Sequence, residues 1–175
     1  SIISNRAERI RIISHDPSDP LSLSSNDLLR VLVDSRENLW VGTNGFGLNR
    51  GIKSSDPRGY SFERMLPDST VSHTLKGKYI YTIQEPVPGR IFIADNSIRE
   101  AIVRNNRTTF VSNPFALSIP DNLVNATRLQ LVFAEGFLWT MNFRYGTFLS
   151  DTLSGRSYNF YLNRNPVRFP ATFLV

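Results

Sequence analysis

The chain has 175 residues, of which 41% are hydrophobic and 11% aromatic, and this is enough apolar material for the core of one ordinary domain. Its formal net charge is +5, but its 20 Lys and Arg residues are scattered, so the sequence shows no basic stripe of the kind that binds nucleic acid. Because the chain has no cysteine, a disulfide framework and a thiolate metal site are excluded. No run reaches the ~20 apolar residues that a membrane span needs. The many Phe, Tyr, Val, Ile and Thr residues indicate mostly β structure.

One plan of strand, tight turn, strand, Gly-rich turn and strand occurs three times along the chain. The clearest copy places its strands at 26–34, 39–43 and 48–50 and its turns at 35–38 and 44–47. Short strands bounded by Gly, Asn, Asp and Ser are typical of an all-β domain. A plan that recurs at a fixed interval indicates a repeat architecture.

The other two copies carry an aromatic residue at the same place in the middle strand. Trp40, Phe92 and Trp139 follow one another at intervals of about 50 residues, close to the length of a four-stranded propeller blade. The remaining strands are predicted at 78–85, 90–94, 98–103, 127–133, 137–141 and 147–149, with a fourth, outer strand after each copy at 60–62, 109–111 and 157–161.

These intervals predict an all-β fold, a β-propeller fragment of about three four-stranded antiparallel blades. The apolar runs 31–33 and 131–133 favour it, because consecutive apolar residues require both faces of a sheet to be covered. A two-sheet sandwich is the alternative, since it also has short strands and frequent turns. A closed propeller has ~4 to 8 blades, so we expect further blades. The predicted divisions are 1–25 (an outer strand of a preceding blade, at 7–14, and a linker), 26–66, 78–112 and 127–162 (three blades), and 163–175 (the start of a further blade).

Residues 16–27, 31–34 and 39–50 resemble the two-component regulator propeller repeat. The last of these segments reads Leu-Trp-Val-Gly-Thr-Asn-Gly-Phe-Gly-Leu-Asn-Arg. The other copies depart from the motif, with Ala94-Asp95 and Met141-Asn142 in place of the Gly-Thr pair. The resemblance implies a periplasmic sensor region of a bacterial hybrid two-component system or sensor histidine kinase. The parent would be anchored in the membrane, and its kinase would lie outside this chain.

The repeated residues suit structural roles. An aromatic plate such as Trp40 presses one blade on the next, and Gly42 lets another backbone approach closely. Gly45 can take the positive φ of a tight hairpin, and Asp34 can accept hydrogen bonds from turn amides. The whole set of predicted structural residues is Asp34, Trp40, Gly42, Thr43, Gly45, Gly47, Phe92 and Trp139.

The sequence shows no catalytic constellation, and we expect a non-enzymatic module without cofactor or metal. The Gly-rich turn 42–47 lacks the Gly-Lys-Ser/Thr ending of a phosphate loop. His15 and His73 are the only histidines and lie far apart, which disfavours a histidine metal site or a serine triad. Asp34 and Glu85 occupy equivalent places and are better interpreted as turn-capping residues than as a glycosidase pair.

What the resemblance implies is a ligand-sensing segment that responds to glycans from polysaccharide breakdown. Ligands of propellers commonly contact loops beside the inner strands, where Tyr rings stack on sugars and Arg or Asn bonds hydroxyls or a carboxylate. The candidate ligand-binding residues are Asn26, Arg30, Lys78, Tyr79, Tyr81, Asn125 and Arg128.

Two other functions remain open. One is a structural or protein-interaction module that mediates sensor dimerisation. The other is a lyase of the streptogramin-inactivating type, which needs a catalytic histidine and a metal. The expected partners are an oligosaccharide, the remaining blades of the parent and a second copy of the chain. No nucleic-acid partner is expected.

Overall fold

The computed structural model describes residues 11–55, 59–112, 130–142 and 146–159, and within these ranges it contains twelve β-strands and no helix. The predicted division 163–175 and residues 1–10 of the division 1–25 lie outside the described residues, as do residues 127–129, 143–145 and 160–162 of the third predicted blade. None of the described segments is a helix long and apolar enough to cross a membrane.

The strands form three four-stranded antiparallel sheets, each built from consecutive strands. The all-β fold of three such sheets is therefore confirmed, and each sheet is a propeller blade. The first sheet contains β1 (Leu28–Val33), β2 (Leu39–Thr43), β3 (Leu48–Lys53) and β4 (Tyr60–Met65). The second contains β5 (Thr82–Val87), β6 (Arg90–Ala94), β7 (Ile98–Arg104) and β8 (Arg107–Ser112). The third contains β9 (Gln130–Ala134), β10 (Phe137–Asn142), β11 (Gly146–Asp151) and β12 (Ser157–Asn159).

Several strand ends shift by one to three residues from the sequence-based expectation, and two departures are larger. The innermost strand of the second sheet begins at Thr82 and not at Lys78, because the backbone before it pairs with the β2–β3 turn of the first sheet. Residues 11–14, the described part of the outer strand predicted at 7–14, are not in a strand.

The first and second sheets enclose the larger apolar core. Trp40 has no exposed surface and lies in this core, so its indole packs against the following sheet. The core also contains residues of both sheets and of the segment between them, namely Leu48 and Met65, then Leu75 and Ile80, and then Ile83, Ile91, Ile93, Ala101 and Phe110.

The second and third sheets meet in the same way. Phe92, at the place equivalent to Trp40, is buried, and its ring centroid lies 4.8 Å from that of Phe133. A second apolar cluster lies beside this pair and contains Ala94, Ile98, Leu131, Leu138 and Phe148. Trp40 and Phe92 thus each press on the following sheet, while Trp139, at the third equivalent place, is half-buried.

One face of β1 is not covered by another sheet within the described residues. Leu32 packs against the larger core, whereas its neighbours Val31 and Val33 are 57% and 58% exposed because successive side chains of a strand point to opposite faces. Further out on that exposed face, Leu23 packs on Val41 and Phe62. Within the part of the chain that the structure describes, the expected coverage of this strand is seen on one face.

The carboxylate of Asp34 organises the turn between β1 and β2. Its Oδ1 accepts the backbone N–H groups of Arg36 and Asn38 at 2.9 and 2.8 Å. Its Oδ2 accepts Asn38 Nδ2 at 2.8 Å and the indole Nε1 of Trp40 at 2.7 Å. Burial by itself raises the pKa of Asp34, but these hydrogen bonds outweigh it and hold the pKa below its usual range. The turn and the buried indole are thus joined through one ionised side chain.

Replacing Asp34 by Asn is expected to lower the free energy of unfolding by about 1–3 kcal/mol, because an amide nitrogen would face donor groups that now meet a carboxylate oxygen. Since the folded-state pKa lies below the unfolded one, the stabilisation is present above the unfolded pKa and is lost as the pH falls through the folded pKa. Denaturant titrations from pH 7 down to pH 3 check both effects: the wild type should lose stability from about pH 4 downward, and Asp34→Asn should lose less. Glu37→Gln, a change at an exposed residue of the same turn, is the control and should leave the midpoint at pH 7 unchanged. Equal midpoints for the two variants would contradict this role.

A buried arginine connects the outer strands of the first two sheets. Arg50, with a side chain 1% exposed, places its Nη2 at 3.3 Å from Glu63 Oε2 and donates to the carbonyl oxygen of Asn106 at 2.8 Å. Glu63 in turn accepts the backbone N–H of Thr108 at 2.9 Å and its hydroxyl at 2.7 Å. Asn106 and Thr108 belong to the second sheet, so this network crosses between sheets.

Arg50→Met is expected to lower the free energy of unfolding by about 3 kcal/mol, because removing one partner leaves Glu63 without its buried cation. Adding Glu63→Gln should recover part of that loss, so the double variant should be more stable than the sum of the single effects predicts. Urea denaturation of the two single variants and the double variant measures the coupling. The exposed pair Lys53–Glu37 supplies the control, since Lys53→Met should leave the midpoint unchanged. Strict additivity would show that Arg50 and Glu63 are not energetically coupled and would contradict this role.

Candidate functional site

The innermost strands of the three sheets run in the same direction. Ser35, just after β1, bonds Glu85 near the end of β5, with Oγ and Oε1 2.7 Å apart. Thr82 Oγ1, at the start of β5, accepts the N–H of Leu131 in β9 at 3.3 Å. The starts of β1, β5 and β9 and the β2–β3 and β6–β7 turns therefore lie at one end of the sheets. We call it the entry end, and the opposite end the exit end.

The segment Lys78–Tyr81 is held between two sheets at the entry end. Its Lys78 carbonyl accepts the N–H of Gly47 at 2.8 Å, and Tyr79 forms a β-bridge with Asn44. The N–H of Tyr81 donates to the carbonyl of Ala94, in the second sheet, at 2.9 Å. We call this segment the inter-sheet seam. Its main chain is therefore held by backbone hydrogen bonds to both sheets in the absence of a ligand.

The turn beneath the seam depends on glycine. Gly45 has a φ of 95° and Gly47 a φ of 75°, values that residues with a Cβ rarely adopt. The hydroxyl of Thr43 donates to the carbonyl of Gly47 at 2.7 Å and closes the turn. A Cβ on Gly42 would lie 2.8 Å from the side chain of Ile80, so the backbone of the first sheet at Gly42 packs directly against the seam. These glycines allow the turn to reach the neighbouring sheet.

Two tyrosines of the seam present parallel rings. The ring centroids of Tyr79 and Tyr81 are 6.2 Å apart with an angle of 15° between the planes, and both side chains are half-buried. A Cβ on Gly45 would lie 3.4 Å from the Tyr79 ring, so that ring packs on the hairpin turn. The ammonium of Lys78, which is exposed, lies 5.6 Å from the Tyr79 ring centroid. Aromatic rings with a cation beside them are the groups that bind a sugar ring bearing polar substituents.

Polar groups of the first sheet adjoin this tyrosine pair. Asn44 donates its Nδ2 to the carboxylate of Asp27 at 2.8 Å, and its backbone N–H to the Asp27 carbonyl at 3.0 Å. Arg30 pairs with Gly42 across the β1–β2 ladder, and its exposed guanidinium donates to the Leu29 carbonyl at 2.8 Å. Because paired residues point to the same face, Arg30 extends on the side where Gly42 meets Ile80 of the seam.

The structure brings some of the predicted ligand-binding residues together and separates one. Lys78, Tyr79 and Tyr81 lie in the seam, and Arg30 lies on the adjoining strand. Asn26 is at the same end, but its Oδ1 accepts the N–H of His15 at 2.7 Å and so belongs to the loop before β1. The predicted residues Asn125 and Arg128 lie outside the described residues.

Sequence reasoning missed the role of Asp95. This residue is fully buried in the β6–β7 turn, where its Oδ1 accepts the N–H groups of Asn96 and Ser97. Its Oδ2 accepts the N–H groups of Lys76 and Gly77, at 2.6 and 3.0 Å, and the guanidinium of Arg99 at 3.2 Å. Asp95 therefore fixes the chain that leads into the seam. The Asp-Asn-Ser sequence indicated the turn, but the bonds to residues 76 and 77 depend on tertiary structure.

The carboxylates considered as a catalytic pair lie toward the exit end and have structural partners. Glu85 accepts the Ser35 N–H and hydroxyl, both at 2.7 Å, and the N–H of Gly89 at 2.6 Å. Burial raises the pKa of Glu85, but these hydrogen bonds outweigh it and lower the pKa from its ordinary value. A general acid needs a raised pKa, so this carboxyl is poorly suited to that task. Across the described ranges, no three His, Cys, Asp or Glu side chains come together as a metal site would require.

Two small clefts open between neighbouring sheets toward the exit end. One, of about 150 Å³, lies between Trp40 and Ile91, and the other, of about 220 Å³, lies between Phe92 and Phe137. Pockets that enclose a drug-sized ligand are commonly ~300–1,000 Å³. The Arg90 guanidinium beside the larger cleft is bound by both carboxylate oxygens of Glu100 at 2.7 and 2.8 Å. The entry end is the candidate site because it holds the paired tyrosine rings with a cation beside them on hydrogen-bonded main chain.

The fold is similar to that of a solved extracellular domain. The extracellular domain described as that of the hybrid two-component system BT3049 from B. thetaiotaomicron superimposes on 84% of this chain with a TM-score of 0.64. The chain has a propeller fold. The sequence identity is 16%, and the chain spans 20% of the length of that domain. No family model matches the chain, and no curated protein matches its sequence.

Proposed function

We propose that this chain is an extracytoplasmic, ligand-sensing propeller segment of a two-component sensor and that its ligands are glycans. The observation that carries the proposal is the shared fold with the extracellular domain of a hybrid two-component system. The resemblance of residues 16–50 to the two-component regulator propeller repeat supports the same role. A periplasmic location and a membrane-anchored parent with a kinase elsewhere are part of this proposal.

The ligand would bind at the entry end, on the tyrosine rings of the seam. Tyr79 and Tyr81 supply parallel rings for a sugar face, and Lys78 and Arg30 supply hydrogen-bond donors beside them. The main chain of the seam is ordered by hydrogen bonds to both sheets, so little conformational entropy is lost on binding. The segment binds and does not catalyse.

Binding at the seam would transmit a signal through the arrangement of the sheets. The seam is bonded to the first sheet through Gly47 and Thr43 and to the second through Ala94. A ligand that contacts this segment favours whichever arrangement of the two sheets gives it better contacts. The rest of the sensor would then respond to that arrangement.

Isothermal titration calorimetry of the full chain against a panel of oligosaccharides tests the proposal. At least one glycan should give saturable heat. Tyr79→Ala and Tyr81→Ala should each weaken that binding by about 5–10-fold, because a ring contact of about 1 kcal/mol is lost. The matched variants Tyr79→Phe and Tyr81→Phe keep the ring and should retain most of the affinity. Denaturation midpoints of all four variants show whether the fold is preserved.

Two results would replace this function by another. Absence of heat with every glycan, together with self-association in sedimentation velocity, would indicate an interaction module that mediates dimerisation. Metal-dependent turnover of a substrate would indicate a propeller lyase. Equal glycan affinity of the wild type and the alanine variants would move the binding site away from the seam.

A further inference from the structure

Charged groups are unevenly distributed around the seam. Among the described residues beside the inner strands at the entry end, Arg30, Lys76 and Lys78 are exposed cations, and Asp27 is the exposed anion. Asp95 also lies at this end, but it is buried and its charge is compensated by Arg99. Asp68 lies further out on the β4–β5 loop, where it accepts hydrogen bonds from Thr70. The surface around the tyrosine rings therefore has an excess of positive charge.

The one exposed anion does not neutralise these cations by contact. Asp27 Oδ2 accepts the neutral amide of Asn44 at 2.8 Å, and Asp27 is in none of the ion pairs found among the described residues. Lys78 has its ammonium 5.6 Å from the Tyr79 ring centroid, so a sugar stacked on the tyrosines would lie beside that charge. Arg30 extends on the same side of the first sheet, at the position where Gly42 meets Ile80.

We infer that the entry end selects anionic sugars, those that carry a carboxylate or a sulfate group. The tyrosine rings hold the sugar face, and Lys78 and Arg30 bind the anion by charge-assisted hydrogen bonds. A neutral sugar would leave both cations without an anionic partner at the site and would bind more weakly. This inference rests on the proposed function, since it names the class of glycan that the same site takes.

Matched ligand pairs test the inference by calorimetry on the full chain. Trigalacturonate is compared with its methyl ester, and a sulfated carrageenan oligosaccharide with its desulfated form, beside neutral xylotriose and mannotriose. The anionic member of a binding pair should bind at least tenfold more tightly, and its affinity should fall between 50 and 300 mM NaCl because salt screens exposed charges. The affinity of any neutral sugar should be insensitive to salt.

Variants assign the preference to the two cations. Lys78→Met and Arg30→Met should each weaken binding of the anionic sugar by about tenfold, the loss of one charge-assisted hydrogen bond. They should weaken binding of a neutral sugar by a smaller factor, because a cation donates a weaker hydrogen bond to a neutral hydroxyl than to an anionic group, so the preference for the anionic sugar should fall. Lys53→Met, which removes an exposed cation at the exit end, is the control and should change neither affinity. Both cations are exposed, so these substitutions are compatible with folding.

The outcomes separate this inference from the proposed function. If a neutral sugar binds as tightly as its anionic counterpart, or if Lys78→Met and Arg30→Met weaken both equally, the selection for charge is wrong and glycan sensing stands. If no sugar of either class binds, the proposed function itself is overturned. If the anionic sugar binds but the two variants bind it as well as the wild type, its anion is held elsewhere and this assignment is wrong.

Discussion

The first and second sheets each pack an aromatic ring against the sheet that follows, and the other features depend on that contact. Trp40 is fully buried against the second sheet, and Phe92 is buried against Phe133 of the third. A side chain of this size contributes several kcal/mol when it is removed from water, and a four-stranded sheet has no other way to cover its face. Asp34 fixes the Trp40 indole by a hydrogen bond and ties it to the first turn.

Polar contacts set how the sheets lie relative to one another. Apolar packing is non-directional, so it brings two sheets together without specifying their register. The pairs Ser35–Glu85 and Arg50–Asn106 cross between the first two sheets. Together with the backbone hydrogen bonds of the seam, these contacts fix the arrangement of the first two sheets at three places: the exit end, the outer strands and the entry end. A ligand at the seam would therefore act where two sheets are already joined by main-chain bonds.

The candidate site combines preorganised backbone with adaptable side chains. The seam between Lys78 and Tyr81 is bonded on both sides, so the positions of the tyrosine rings follow from the fold. Lys78 and Arg30 extend from it into solvent, where they can adjust to the shape of a ligand. Rings on fixed backbone with mobile cations beside them would suit the proposed binding of one class of sugar with variation within that class.

The recurring aromatic residues and the turn glycines determined the sheets from sequence alone. Interval and hydrophobic pattern are local properties, so they were sufficient to predict three four-stranded sheets and the place of Trp40, Phe92 and Trp139. Tertiary structure decided where β5 begins, because the backbone before Thr82 pairs with a turn of another sheet. It also decided that Asp95 holds residues 76 and 77, and that Asn26 bonds His15 while Tyr79 and Tyr81 flank the inner strands. These contacts join residues that are distant in the chain. A repeating sequence pattern cannot predict them, because they form only when one sheet packs on the next.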